Sequence, residues 1–330
     1  MRIGLAYNVR PAESPAHLPE DAFEEFDSEA TVGQIRDGLA SLGHEVSLLP
    51  AGPGIIDRLR EVRPDLVFNI AEGEGGRCRE AHLPALLEML RIPYVGSDPL
   101  TLCVTLDKPV AKRIAASEGY PTPPFRCCRA PEELEEGDLS LPVIVKPAYE
   151  GSSKGVRLAS RASSIAEARA MIGFVNGTYG QEALVEEFVP GPEVTVGLVG
   201  NATPRVIGQM EIRPRKIPRE KFVYSLEVKR DWKEQVEYLC PPSLPGAVVA
   251  EIDRLAGGIY RVLGCRDFGR IDFRIDERGT PQFLECNPLP GLSPGYGDLP
   301  ILADKRGIPY ASLLSEILGS ALARLGMAPA

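Results

Sequence analysis

The chain has 330 residues, of which 44% are hydrophobic and 25% charged, the balance of an ordinary soluble globular protein. It is longer than the size at which one hydrophobic core stops growing, so two or three domains are expected. A net charge of −9 argues against a general nucleic-acid binder or a protein held on anionic membranes, although a local basic site can still hold a phosphate.

The opening "MRIGLAYNVRPAE" reads as a strand followed by polar residues, too short an apolar run for a secretory signal. No run of about 18 apolar residues is present to span a bilayer. Next, "SEATVGQIRDGLASLG" reads as a helix with Val32, Ile35, Leu39 and Leu42 on one face, capped by Asp27 or Ser28 and ended by Gly43. Strands at "HEVSLL" and "DLVFNI", a helix at "REAHLPALLEML" and a short strand at "IPYVG" follow. This alternation predicts a mainly parallel sheet covered by helices over residues 1–98. Ligands of such sheets bind beyond the carboxyl ends of the strands, where "AEGEGGRCRE" lies.

A second unit, residues 99–187, begins with the helix "TLDKPVAKRIAASEG", carrying Lys108 and Lys112. The β-branched run in "LPVIVKPAYEGSSKGVRLAS" delivers Lys146 at a strand end. The small residues of "YEGSSKG" let backbone N–H groups approach an anion. A helix at "SSIAEARAMIGFV" and a strand at "EALVEEFV" close this unit. The third, residues 188–330, holds strands at 193–200 and 204–212, a helix at "GAVVAEIDRLAGGIYRVLG", a hairpin at 269–291 and a last helix at "ASLLSEILGSALARLG". Its one charge run, "RPRKIPREK" at 213–221, is either a solvated loop or a mobile basic lid over a polyphosphate.

Several chemistries lack support. The seven cysteines, Cys78, Cys103, Cys127, Cys128, Cys240, Cys265 and Cys286, form no CxxC pair and no zinc spacing, so reduced thiols in a cytoplasmic protein are expected. The three histidines, His17, His44 and His82, belong to no HExxH or nucleophile pattern. "VIVKPAYEGSSKGV" is not a GxxxxGK[ST] phosphate loop, because its lysine precedes the glycine.

The hairpin "GRIDFRIDERGTPQFLECNPLPG" carries the most chemistry. Alternation sets Arg270, Asp272 and Arg274 on one face of the first strand, and Phe283, Glu285 and Asn287 on one face of the second, with Leu284 and Cys286 behind. A turn near Arg278 and Gly279 brings Asp272 opposite Glu285 and Arg270 opposite Asn287. Opposed like charges about 5 Å apart destabilise a bare sheet. Either a hard divalent cation such as Mg²⁺ lies between the acids, or they point into solvent.

The segments "IPYVGSDPLTLCVTLDK", "VIVKPAYEGSSKGV", "LVEEFVPGPEVTV", "FVYSLEVK" and "GRIDF...FLECNPLPG" occur in the order found in one family. With them the chain resembles the ATP-grasp superfamily, and within it the D-alanine–D-alanine ligases and their close homologues. The resemblance spans nearly the whole chain and is weakest over the first 80 residues. It implies an α/β fold with α+β elements, in which an N-terminal parallel α/β domain precedes the two ATP-grasp subdomains of a three-domain architecture. It also implies an ATP-dependent, ADP-producing carboxylate–amine ligase of the cytoplasm, serving cell-wall peptidoglycan synthesis. The reaction joins small amino acids through an acyl phosphate, and family members commonly form homodimers; neither nucleic acid nor membrane is implied as a partner.

Carried over by position, Lys108 and Lys146 hold the α- and β-phosphates, and Gly151, Ser152 and Ser153 close over them. Glu186, with its neighbour Glu187, lies by the adenine, and Glu193 takes the ribose hydroxyls. Lys229 reaches the γ-phosphate. Asp272 and Glu285 ligate one Mg²⁺, and Glu285 and Asn287 a second, roles that Mn²⁺ can also fill. Arg270, Ser152, Lys229 and the N–H of Gly291 surround the reacting atoms, where positive charge stabilises the transferring phosphoryl group and a tetrahedral oxyanion.

Departures concentrate where the amino acids would sit. "EEFDSEAT" replaces the family's glycine-rich segment and leaves Glu25 or Glu29 as partner for the first ammonium. "EGEGGRCRE" replaces a histidine-bearing segment and introduces Glu72, Arg77, Arg79 and Glu80. Arg230 stands where a tyrosine follows the loop lysine. "LSPGYGDLP", with Tyr296, lacks the serine–leucine pair that binds the second carboxylate. Three readings stay open: a D-alanine ligase, a ligase for another amino acid or small peptide, and a non-catalytic nucleotide-binding regulator.

Overall fold

The computed structural model describes residues 1–13, 15 and 17–327. Its first unit alternates β1 (Arg2–Tyr7), α1 (Glu29–Ser41), β2 (Glu45–Pro50), α2 (Ile55–Val62), β3 (Leu66–Asn69), α3 (His82–Met89) and β4 (Tyr94–Val95). The strands pair in parallel in the order β2-β1-β3-β4. Of the two caps open for α1, Ser28 is used; its hydroxyl accepts the Thr31 N–H at 3.1 Å, and Val32, Ile35 and Leu39 form the buried face. The short α2 escapes the sequence reading because it buries only Ile55 and Leu59.

The second unit contains α4 (Pro99–Leu106), α5 (Lys108–Ser117), β5 (Phe125–Cys128), β6 (Val143–Pro147), β7 (Arg161–Ala162), α6 (Ile165–Tyr179) and β8 (Ala183–Glu187). Its antiparallel sheet runs β5-β8-β6-β7. The chain breaks at Asp107, whose carboxylate accepts the Val110 N–H at 3.0 Å and so starts a new helix at Lys108. That break puts the Lys108 side chain at a helix start facing β13 rather than along a helix face.

The third unit holds β9 (Glu193–Val199), β10 (Arg205–Pro214), α7 (Leu226–Arg230), α8 (Trp232–Gln235), β11 (Val236–Leu239), α9 (Gly246–Val262), β12 (Phe268–Ile275), β13 (Pro281–Asn287), α10 (Asp298–Lys305) and α11 (Tyr310–Leu325). Its antiparallel sheet runs β11-β10-β9-β12-β13. The hairpin has the expected register: Asp272 faces Glu285, and Arg270 faces Asn287. One expectation is corrected. A bulge after Asp272 makes Leu284 the extra residue, so Phe283 turns into the core beside Phe273 while Leu284 lines the cavity with Glu285. Phe283 gains more by joining Phe273 on the apolar side than strict alternation would give it.

Ile3, Leu5, Ile35 and Leu39 of the first unit share one core with Met210, Leu302, Leu314 and Ile317 of the third, and α11 packs on α1. Arg324 of α11 ties the same two units, donating to Asp267 at 2.9 and 2.7 Å and to the Tyr94 carbonyl at 2.9 Å. Val143, Val145, Ile172, Val175 and Val185 form a separate core in the second unit. Among the described residues no helix is long and apolar enough to cross a membrane.

Candidate active site

Two cavities meet between the sheets. The first is lined by Lys108, Lys146, Gly151, Ser152, Ser153, Glu186, Glu187, Glu193, Lys229, Arg270, Asp272 and Glu285, which brings together residues from all the segments expected to hold nucleotide. The second, about 440 Å³, is lined by Glu25, Glu72, Arg230, Asn287, Gly291 and Tyr296. Ser152, Lys229, Arg270 and Asp298 line both, so the cavities abut at one point.

The β12–β13 hairpin builds that point. Arg270 donates to Asp298 at 2.8 Å and to Asp272 at 2.9 Å, and lies 3.7 Å from Glu285. Its Nε has no hydrogen-bond partner among the described residues. Burial pushes Asp272 up to about 6 although Arg270 beside it pulls down, and the Thr195 hydroxyl also donates to it. Glu285 moves the other way, to about 2: burial opposes its ionisation, and nearby Lys108, Lys146 and Arg270 overcome that. Lys108 lies 3.4 Å from Glu285.

No cluster of three or more histidine, cysteine, aspartate or glutamate side chains disposed to hold a metal occurs among the described residues. The donors here are two directly opposed carboxylates and an amide, oxygen atoms only, which fits a hard cation completed by phosphate oxygens and water. Asn287 sits at the edge of this set; its Oδ1 accepts the Leu289 N–H at 3.0 Å, and it lines the second cavity.

Glu186 does not offer a free carboxylate to the first cavity. It is buried between Lys112 at 2.9 Å and Lys146 at 2.5 Å, which hold it ionised. Lys112, fully buried, also donates to Thr122 at 2.7 Å and to the Phe283 carbonyl at 3.0 Å. Glu187 faces the cavity while accepting the Ser140 N–H at 2.8 Å. Glu193 pairs with Arg274 at 3.4 Å, and burial raises it to about 7. Arg274 also stacks over Phe188 at 4.5 Å and donates to the Phe222 carbonyl at 2.8 Å. Lys229 lines the cavity and makes no ion pair among the described residues; burial lowers its pKa.

The Gly151–Ser153 loop differs from the sequence reading. Its Gly151 N–H donates to Glu25 at 2.6 Å, so that donor is spent, while Ser152 and Ser153 follow with φ of 51° and 59°.

Among the residues expected around the amino acids, Glu25 is corrected. Instead of a free partner for an ammonium, it is bound by Arg79 at 2.5 Å, by Gly151 and, at 3.8 Å, by Lys154. Glu29 is not at the site; it begins α1 and lines another cavity with Tyr7 and Arg36. Arg79 is buried beneath the loop, donating to the Tyr149 carbonyl at 2.9 Å, and Glu80 is buried beside it; neither lines the second cavity. Arg230 pairs with Glu24 at 2.8 Å, and Arg10 lies 3.7 Å from the same carboxylate. Asp27 and Glu72 face the cavity with no ion-pair partner among the described residues; burial alone raises Asp27 to about 7, and burial with Glu80 and Glu25 nearby raises Glu72 well above its usual range.

The sequence reading missed Asp298, Thr195 and the role of Lys112, and it set Arg274 on the polar face of the hairpin without finding its partners. Asp298 and Thr195 are lone polar residues beside apolar or loop segments, whereas Arg274 was signalled by strand alternation and Lys112 by following Lys108 by one helical turn.

The profile of the D-ala D-ala ligase C-terminus matches residues 118–319. The D-alanine–D-alanine ligase of Bordetella petrii is 31% identical over 327 residues, covering 98% of this chain and 93% of that protein. An uncharacterised protein of Sinorhizobium fredii, y4sG, is 34% identical over 298 residues, covering 87% of each. The crystal structure of the Bacillus anthracis D-alanine–D-alanine ligase complexed with ATP superposes with a TM-score of 0.76 over 98% of both chains at 22% identity, a likeness of fold. The three-sheet arrangement is therefore that of an ATP-grasp protein, as the five segments implied. Since the similarity runs through the hairpin, both cavities and the loops that join them, the chain belongs to the D-alanine–D-alanine ligase family.

Proposed function

We propose that this chain is an ATP-dependent carboxylate–amine ligase that activates a carboxylate as an acyl phosphate and couples it to an amine, releasing ADP and phosphate. The abutment of the two cavities at Lys229 and Arg270 carries this reading, because phosphoryl transfer needs a basic pocket and a carboxylate pocket that share the reacting atoms. Lys108, Lys146 and the Ser152 and Ser153 N–H groups would hold phosphate oxygens, Glu193 the ribose, and Leu284 the base. Asp272 and Glu285, with Asn287 at the edge, would hold Mg²⁺; when bound it neutralises phosphate charge that would repel an incoming carboxylate. Lys229 and Arg270 then face the phosphoryl group as it moves, and Arg270 with the Gly291 N–H receives the oxyanion when the amine attacks.

One observation favours a substrate other than D-alanine. Glu24 and Glu25 are already neutralised by arginine and lysine, while Asp27 and Glu72 are not, so the acceptors for an ammonium lie elsewhere in the cavity than the family pattern implies. ADP release measured over a panel of D- and L-amino acids and small peptides tests both readings. Stimulation by D-alanine alone supports the first, and stimulation only by others supports a ligase of different specificity. Nucleotide binding without ADP release from any pair would leave a regulator.

A further inference from the structure

We propose that Asp21 is a positioning residue for the phosphate loop, acting from the N-terminal unit on a loop of the second unit without touching nucleotide or substrate. The inference rests on the ligase reading for the loop's role. Asp21 is fully buried, and its carboxylate accepts three hydrogen bonds: from the Gly155 N–H at 3.0 Å, from Arg157 at 3.1 Å and from the Tyr179 hydroxyl at 2.8 Å. Four residues on, Glu25 accepts the Gly151 N–H. The loop's first and last glycines are also four apart, so one short segment of the N-terminal unit grips both ends of the loop.

The loop between those grips needs holding. Ser152 and Ser153 both adopt left-handed backbone conformations, which residues with a Cβ adopt at a cost unless the surroundings fix them. The Ser153 hydroxyl donates to the Tyr224 carbonyl at 2.9 Å, the tether from the third unit. At the exit, Gly155 has φ +73°, and a Cβ there would lie 2.3 Å from Pro147 Cγ, so the chain can leave only by this tight route. Asp21 fixes that route by binding the Gly155 N–H directly and by holding Arg157 and Tyr179 on either side.

Glu25 lines the substrate cavity, whereas Asp21 lines neither cavity. Removing Asp21 therefore acts on the loop's exit and on the Arg157 and Tyr179 side chains beside it, not on the lining of either cavity. The test is calorimetric binding of Mg²⁺ and a non-hydrolysable ATP analogue to the full chain, with the amino-acid KM measured in parallel. Asp21→Ala is expected to weaken nucleotide binding about tenfold while shifting the amino-acid KM less than twofold, with Asp21→Asn intermediate because its amide oxygen can still accept from Gly155. Should Asp21→Ala fail to fold, Tyr179→Phe removes one of the three donors and is expected to weaken nucleotide binding about threefold. Unchanged nucleotide affinity in the variants, or an equal loss in both constants alongside a lower thermal midpoint, overturns the proposal. A parent protein that binds no nucleotide would instead overturn the ligase reading.

Discussion

Replacing Lys112 with methionine tests whether the buried charges beneath the first cavity act as one unit. Lys112 is fully buried and makes an ion pair with Glu186 and hydrogen bonds to Thr122 and to the Phe283 carbonyl. Breaking a buried pair by removing one partner costs about 3–5 kcal/mol, because the survivor is left without compensation. Here the survivor keeps Lys146 at 2.5 Å, and Thr122 still donates to Phe283 at 2.8 Å, so the expected loss is about 2–4 kcal/mol. Urea unfolding of Lys112→Met, Glu186→Gln and the double variant measures it. The double variant should lose less than the sum of the singles by about 2 kcal/mol, the coupling of residues in one network. With Lys112 gone, Glu186 holds Lys146 alone and draws its charge from the cavity, so the KM for ATP should rise as well. A loss under about 1 kcal/mol with additive singles would refute the argument.

Asp272→Asn keeps an acceptor for Thr195 and Arg270 but removes a charge from the opposed pair. Turnover should fall at least about 100-fold, equivalent to about 2.7 kcal/mol of barrier, while the thermal midpoint of the ligand-free protein moves by only a few degrees; unfolding instead of inactivation would remove the support for a cation site there. Asp27 has a folded-state pKa of about 7 against an ordinary 3.8, so the unfolded chain releases its proton first. Its contribution is fully present below about pH 4 and is lost as pH rises through 7. Asp27→Asn should therefore be more stable than the parent at pH 8 and indistinguishable from it near pH 4, by denaturant midpoints at both pH values.

The hairpin was readable because its alternation and turn are local: the strand period, Gly279 and the polar turn set which residues oppose each other. What defeated the same rule at Phe283 and Leu284 was packing, since the bulge exists to bury an aromatic against α9 and nothing in the strand itself announces it. Lysines at strand and helix ends could be placed by family position, yet their partners could not. Lys112 meets Glu186 across residues far apart in sequence, and Arg270 meets Asp298 from a turn that reads as loop because Gly295, Gly297 and Pro300 mask the short α10. Glu25 was misread for a related reason. A run of acidic residues looks like a solvated or substrate-facing patch until the arginines and backbone donors of other units are known.

The way apolar interiors are partitioned bears on how the three sheets are held together. The outer sheets share one interior and are stitched by Arg324, whereas the middle sheet has its own, and the chain enters and leaves it through the proline-rich stretches 119–124 and 189–192. The middle sheet thus buries its apolar side without drawing on the interior that the other two sheets share. Polar contacts join it to the rest: the Lys112–Glu186 pair links β8 to α5, whose Ala111 and Ala115 pack in the core of β9 and β12. Asp21 and Glu25 of the N-terminal unit do the same for the loop that follows β6, so charged and hydrogen-bonding groups rather than oily surface set the seating of that sheet.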